Sequence, residues 1–322
     1  MLQILNAEPD NYCDEARAIL RSLGSLEERE FSRSELIARL PDVDVLIVRL
    51  QHQIDRTVIE AGRRLKAIVT ATTGLDHIDC RFAAEQGIAV LSLRGELEFL
   101  RSIPASGEHT WALLLALTRH IPEAVASTIR GSWVRDDYRG NDLNGRRLGI
   151  LGLGRIGERV ARYAQAFGME VVAYDPYRES WPEGVRRVET MEALLEQAQV
   201  LSIHVSLSAE TENLIGEREL GRLPKGAILV NTARGDLLDE TALVNALTSG
   251  HLAGAALDVI RNERNDTLRN EGPVLTYARA HSNLLVSPHI GGATIESMAA
   301  TEVFMARKLA QYLRDHHLKP SG

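Results

Sequence analysis

Residues 148–157 read LGILGLGRIG, with Gly152, Gly154 and Gly157 in the spacing G-x-G-x-x-G. Glycines cluster in ordinary turns, so the spacing alone decides little and its flanks decide more. Arg147–Leu151 is a short apolar run, as a buried strand is. After the turn, RIGERVARYAQAF puts Ile156, Val160, Tyr163 and Phe167 on one face at helical spacing, and Gly168 is a natural stop. Glu170–Tyr174 reads as a second strand and leads into Asp175, 23 residues past Gly152. Strand, glycine turn, helix, strand and acid in this order form a dinucleotide fingerprint. Gly152 then allows the tight turn, Gly154 lets backbone approach a pyrophosphate, and Gly157 lets helix and strand pack closely. The helix start offers unpaired N–H groups to the phosphates. Asp175 accepts from ribose hydroxyls and repels a 2′-phosphate, which favours NAD over NADP. The bland alternative is a βαβ turn with no ligand.

Outward from this turn, short runs rich in Val, Ile and Leu alternate with amphipathic helical stretches. The first half offers Gln3–Asn6, Val43–Arg49, Ala67–Ala71 and Ile88–Leu91. The second adds Val200–Val205, Ala227–Asn231, Ala255–Val259 and Leu284–Ser287. Continuous apolar runs of this length predict parallel strands buried on both faces, joined by right-handed crossovers. The fold class is therefore α/β. At 322 residues the chain exceeds one typical core, so two domains are expected. The stretch SIPASGEHTWALLLALTRHIPEAV predicts a long helix from about Ser106, bent or ended near Pro122, and a domain hinge. A last helix follows Thr294, a candidate N-cap.

Bulk properties narrow the function classes. A net charge of −7 disfavours a general nucleic-acid binder. The longest apolar run, Trp111–Leu117, is far too short to span a bilayer, and the first residues lack the pattern of a secretory signal. Cys13 and Cys80 show no metal spacing and read as reduced thiols of a cytoplasmic protein. No metal site is expected.

Five apolar runs of the second half finish in hydrogen-bonding residues: Asp175, then His204 and Ser206, Asn231 and Thr232, Asp258, and Ser287 and His289. Ligands of open parallel sheets sit beyond the carboxyl ends of the strands, so these ends suggest one polar crevice. Arg234 in NTARGD is suited to clamp a carboxylate. Glu263 and His289 offer the pairing a general acid needs, since a neighbouring carboxylate favours the protonated imidazole. Taken singly, each has a bland alternative: a surface arginine, a solvated carboxylate, a structural histidine. The spacing permits convergence without showing it.

The chain resembles the D-isomer-specific 2-hydroxyacid dehydrogenases, notably the D-3-phosphoglycerate dehydrogenase-like members. The resemblance rests on TTGLDHID, GEHTWALLLAL, LNGRRLGILGLGRIGERVARYAQAFGMEVVAYDPY, LPKGAILVNTARGDLLDETALVNAL, GAALDV and SPHIGGAT, in the family's order. It implies two Rossmann-like doubly wound domains with an interdomain cleft. Residues 1–103 and 295–322 would form the substrate-binding domain, and 104–294 the NAD-binding domain. His289 would act as the acid on the keto oxygen, Glu263 would orient it, and Arg234 would bind the substrate carboxylate. Backbone N–H groups of Thr73 and Gly74 would hold that carboxylate too. Asp258 would contact the nicotinamide amide, Arg155 and Ile156 would lie over the pyrophosphate, and Thr232 near the nicotinamide. His204 belongs to the same cofactor edge. The family is usually dimeric through its NAD domains, with IRGSWVRDDYRGNDL at the interface.

The chain departs from the family pattern in places. LSLRGELEFLRSIPAS replaces a shorter asparagine-bearing loop, so Arg94 and Arg101 either meet a second acidic group or pair with Glu96 and Glu98. Arg49 matches a substrate-side arginine, but Leu50 stands where a serine is usual. Arg264 replaces a proline after Glu263. No regulatory domain is expected after Gly322. The leading reading is an NAD-dependent D-2-hydroxyacid dehydrogenase acting on a 2-hydroxy or 2-keto acid, with a phosphoglycerate-like or sugar-derived substrate plausible. The alternative is a non-catalytic NAD(H)-sensing, corepressor-like protein of the same fold. A methyltransferase also uses a glycine turn but gives no reason for Arg234, Glu263 and His289.

Overall fold

The computed structural model describes residues 1–317. The chain divides into two units, Met1–Ile103 with Ala293–Gly322, and Pro104–Gly292. Residues 318–322, expected at the end of the substrate-binding domain, lie outside the described residues.

The first unit holds a parallel sheet of β1 (Leu2–Asn6), β2 (Gly24–Glu28), β3 (Val45–Val48), β4 (Ala67–Thr70) and β5 (Ala89–Leu91), in the order β2-β1-β3-β4-β5. The second holds β6 (Arg147–Leu151), β7 (Glu170–Tyr174), β8 (Val185–Arg187), β9 (Val200–Ile203), β10 (Ala227–Asn231), β11 (Leu252–Leu257) and β12 (Leu284–Val286), in the order β12-β11-β10-β9-β6-β7-β8. All pairings are parallel. Both sheets carry apolar clusters on their two faces: Leu5, Leu46 and Ile68 on one side of the first, Ile4, Val45 and Val69 on the other. These are Rossmann-like, doubly wound units. In the second, the strand order reverses between β6 and β9, the switch point where such folds bind ligands.

β2 and β8 are absent from the sequence expectation. Both are edge strands, GSLEE and VRR, with little continuous apolar surface to mark them. The helix after Pro104 ends close to Pro122, as the sequence indicated. It runs Ala105–Thr118, and a second helix covers Ile121–Ile129. The break falls at His120, which adopts a left-handed backbone with φ 51°. Pro122 sits in the first turn of the next helix, where its missing N–H leaves no bond unmade.

The helix Arg155–Ala166 buries Val160, Ala161 and Ala164. Phe167, expected on that buried face, is exposed, with its ring edge-on to Trp111. Gly168 follows with φ 72°, the stop that the sequence indicated. Thr294 caps the helix Ile295–Asp315, its hydroxyl accepting the Ser297 N–H at 3.1 Å. The atypical loop after β5 folds as a short helix, Leu97–Arg101, and Phe99 stacks on Phe304 with ring centroids 4.1 Å apart. Glu96 pairs with Lys308.

Candidate active site

The glycine turn leaves β6 at the switch point, and each of its glycines has a separate physical reason. Gly152 has φ 87°, and its N–H donates to the Tyr174 carbonyl at 2.9 Å. A Cβ on Gly157 would stand 2.4 Å from the Gly152 carbonyl oxygen, so helix and strand can pack here only without one. Gly154 differs from both. Its φ is −75°, open to any residue, and a Cβ there would meet nothing within 4 Å. No requirement inside the chain calls for glycine at 154, whereas a pyrophosphate lying on the backbone does. Asp175 Oδ2 accepts the Leu153 N–H at 2.9 Å and Oδ1 the Tyr177 N–H at 3.0 Å, which fixes the acid beside the turn. Arg178 is tied to the Leu153 and Ser180 carbonyls and to Glu158. Arg155 and Ile156 open the helix.

The neighbouring strand ends carry the polar residues picked out by the sequence. After β9, His204 meets Ser202 Oγ at 2.8 Å through Nε2, and burial pushes its imidazole down to about 4. After β10, the buried Asn231 side chain closes a turn: it donates to the Arg234 carbonyl at 2.8 Å and accepts the Ala233 N–H at 3.0 Å. That turn presents Arg234, whose Nη1 donates to the Ala233 carbonyl. Gly235 lets the turn press onto the segment after β11, because a Cβ there would sit 2.2 Å from the Ile260 carbonyl carbon. Thr232 Oγ1 is 2.7 Å from the Thr110 hydroxyl.

After β11, Asp258 is 1% exposed and collects four donors. Its Oδ1 accepts from Ser287 Oγ at 2.6 Å, the Ile290 N–H at 2.9 Å and, at 3.0 Å, His109 Nε2; Oδ2 accepts the Gly291 N–H at 2.7 Å. Burial would raise this carboxyl, but the bonds from His109, Ser287 and Ile290 outweigh it and hold Asp258 below the ordinary value. The Asp258 carbonyl also accepts the His289 N–H at 2.8 Å. Asp258 thus fixes the backbone of residues 289–291 from beneath. This anchoring permits His289 its φ of 55°, an uncommon conformation for a side-chain-bearing residue. His289 Nδ1 then lies 2.8 Å from Glu263 Oε1. The structure therefore brings together His289 and Glu263, and it packs the Arg234 turn against the segment leading to Glu263.

His109 was not foreseen from sequence. It lies 149 residues from Asp258, on a helix that reads as a plain apolar run. The available signal was the polar pair His109–Thr110 opening that run.

Residues 111–291 match the family described as D-isomer specific 2-hydroxyacid dehydrogenase, NAD binding domain. The chain belongs to the D-isomer specific 2-hydroxyacid dehydrogenase family. It is 37% identical to a D-3-phosphoglycerate dehydrogenase of Methanocaldococcus jannaschii, over 98% of this chain and 58% of that one. It is 35% identical to a hydroxypyruvate reductase of Thermotoga maritima, over 93% of this chain and 95% of that one. A D-lactate dehydrogenase structure from Aquifex aeolicus, complexed with NAD and lactic acid, superposes with a TM-score of 0.83 at 27% identity, covering 97% of this chain and 95% of that one. The chain spans little more than half the length of the D-3-phosphoglycerate dehydrogenases it matches. The second unit is the family's NAD-binding domain, and the cofactor is a nicotinamide nucleotide.

In the first unit, Thr73 and Gly74 lie in the loop after β4, where the Thr72 hydroxyl donates to the Gly74 carbonyl at 2.8 Å. Arg49 follows β3, and its Nη2 is 2.7 Å from Glu302 Oε1. Among the described residues, no cluster of His, Cys, Asp or Glu is arranged to hold a metal ion, and no helix is long and apolar enough to cross a membrane.

Proposed function

We propose that the chain is an NAD-dependent dehydrogenase that interconverts a D-2-hydroxy acid and its 2-keto acid. The observation that carries this reading is the His289–Glu263 pair, held at 2.8 Å on a backbone that Asp258 fixes. Glu263 accepts from Nδ1, which leaves Nε2 to exchange a proton with the substrate oxygen. In reduction, His289 gives that proton to the keto oxygen; in oxidation it takes it from the hydroxyl. Arg234 holds the substrate carboxylate and polarises the adjacent carbonyl. Thr73 and Gly74 supply backbone N–H donors for the same carboxylate, and Arg49 stands at the neighbouring strand end. The nicotinamide, when bound, supplies the hydride for reduction and accepts it in oxidation. Gly152, Gly154, Arg155, Ile156 and Gly157 hold its pyrophosphate; His204, Thr232 and Asp258 belong to the same sheet edge. Asp175 favours NAD, since a 2′-phosphate would meet its charge. The reading takes the enzyme to be cytoplasmic, in keeping with the free thiols of Cys13 and Cys80.

We further infer a homodimer through the NAD-binding unit. Ile121, Val125 and Ile129 recur every fourth residue on one helix and are all exposed, Ile129 by 81%, and Trp133 beyond them is 90% exposed. An apolar stripe of this kind fits a second copy of itself. Trp133→Glu should halve the mass seen in sedimentation; an unchanged mass would place the contact elsewhere.

The test of the activity is NADH oxidation by the purified chain against glyoxylate, pyruvate and hydroxypyruvate, with NADPH as control. Turnover with NADH at least about tenfold faster than with NADPH is expected. Binding of NADH without turnover of any 2-keto acid would contradict the reading.

A further inference from the structure

A second group of charged residues sits at the carboxyl edge of the five-stranded sheet. β1, β3 and β4 run side by side and parallel, with Asn6 opposite Ile47 and Val48 opposite Thr70. The loops that follow them therefore leave the sheet along one edge. Thr73 and Gly74 belong to the loop after β4, and Arg49 opens the loop after β3. Arg49 Nη2 donates to Glu302 Oε1 at 2.7 Å and Nη1 to the Asp10 carbonyl at 3.1 Å, while the guanidinium lies over the Tyr12 ring at 5.3 Å. Glu302 is 1% exposed, and its Oε2 accepts the Cys13 N–H at 2.6 Å. The next three backbone N–H groups converge on one acceptor. Leu50 and Gln51 donate to Glu8 Oε2 at 3.1 and 3.2 Å, and His52 donates to Glu8 Oε1 at 3.3 Å. Glu8 is 7% exposed.

Successive N–H groups turned to one point make a concavity for an anion. An arginine beside it, with a planar fork, completes what a phosphate group would use. Here both parts are occupied from within the chain. Arg49 is already paired with the Glu302 carboxylate, and the three N–H groups with the Glu8 carboxylate. A phosphate dianion entering this loop would have to displace a buried carboxylate and then lie beside it, where water screens little. A hydroxyl or a hydrogen in that place meets no such penalty.

We propose that Glu8 and Glu302 set the substrate class: the chain acts on a 2-keto or D-2-hydroxy acid that carries no phosphate. Arg49 is then balanced by Glu302 and shapes the loop without acting as a phosphate ligand. The proposal rests on the dehydrogenase reading above. Its test compares kcat/KM for hydroxypyruvate and 3-phosphohydroxypyruvate with NADH, in the wild type, Glu302→Gln and Glu8→Gln, with calorimetric titration of inorganic phosphate alongside. The wild type should favour the unphosphorylated compound by about 100-fold or more. Glu302→Gln should raise the phosphorylated-to-unphosphorylated ratio by about tenfold, through a lower KM for the phosphorylated compound. Glu8→Gln should move the ratio the same way, which keeps the test intact if Glu302→Gln does not fold. A wild type that prefers the phosphorylated compound, or folded variants with an unmoved ratio, would overturn the proposal. If no 2-keto acid is reduced, it is the dehydrogenase reading that has failed. Phosphate then decides: binding gained only by the variants supports the proposal, and binding to the wild type, or to none of the three, overturns it.

Discussion

At the end of β11, Asp258 gathers four donors, two of them the N–H groups of Ile290 and Gly291 that follow His289. At the end of β3, Glu8 gathers three backbone N–H groups and Glu302 takes the guanidinium of Arg49. The chemistry is the same: a buried carboxylate made tolerable by charge-assisted hydrogen bonds. The consequence is opposite. Beneath His289 the bonds hold a left-handed backbone that sets the imidazole against Glu263. Around Arg49 they fill a place that could otherwise take an anion. A buried acid can thus build a site or close one, depending on whose donors it collects. The glycine turn shows a similar division on a smaller scale: Gly157 serves the chain's own packing, and Gly154 answers no packing need within the chain.

The comparison between the two glycines breaks first. Gly157→Ala puts a Cβ 2.4 Å from the Gly152 carbonyl oxygen, so helix and strand must part. A loss of about 3 kcal/mol in urea unfolding is expected; unchanged stability would show that the packing is looser than described. Glu263→Gln comes next. It keeps the shape but not the charge beside His289, and kcat/KM for a 2-keto acid should fall by about 100-fold. A fall of less than about threefold would leave Glu263 outside the proton path.

His204 sharpens the comparison through pH. Its folded value is held at about 4, against 6.5 for the ordinary side chain. Between those values the unfolded chain binds a proton that the folded chain refuses, so stability falls as pH falls through that window. Allowing for the ring's partial exposure, the loss between pH 7 and pH 5 is about 1 kcal/mol. His204→Asn should flatten this slope in urea midpoints measured at pH 7 and pH 5, and parallel curves for the two proteins would contradict it. The smallest effect is Gly154→Ala. Its unfolding midpoint should stay with the wild type while the NADH Kd rises about tenfold. Loss of stability with unchanged Kd would reverse the roles given to the two glycines.

What the sequence made legible follows from how local each feature is. The glycine turn, Asp175 and the stop at Gly168 lie within one βαβ unit, where spacing and geometry are tied. Continuous apolar runs marked the central strands because both their faces are buried. The edge strands β2 and β8, half in solvent, carried no such mark. His289 stood out as a polar residue at a strand end, while Arg234 and Glu263 lay in the segments after such ends and took their roles from the family resemblance. The supports did not stand out: His109 reaches Asp258 across 149 residues, and Glu302 reaches Arg49 across 253. No periodicity in a single sequence reports a contact over that distance. Arg49 was a candidate ligand because it matches a substrate-side arginine of the family, and nothing in the sequence marked the carboxylate that pairs with it.

The most direct measurement is His289→Ala, with NADH affinity and kcat for a reducible 2-keto acid determined on the same preparation. The expected result is a kcat lower by about 1,000-fold or more with the NADH Kd within about threefold of the wild type. A kcat within about threefold of the wild type would contradict the assignment of the substrate proton to His289.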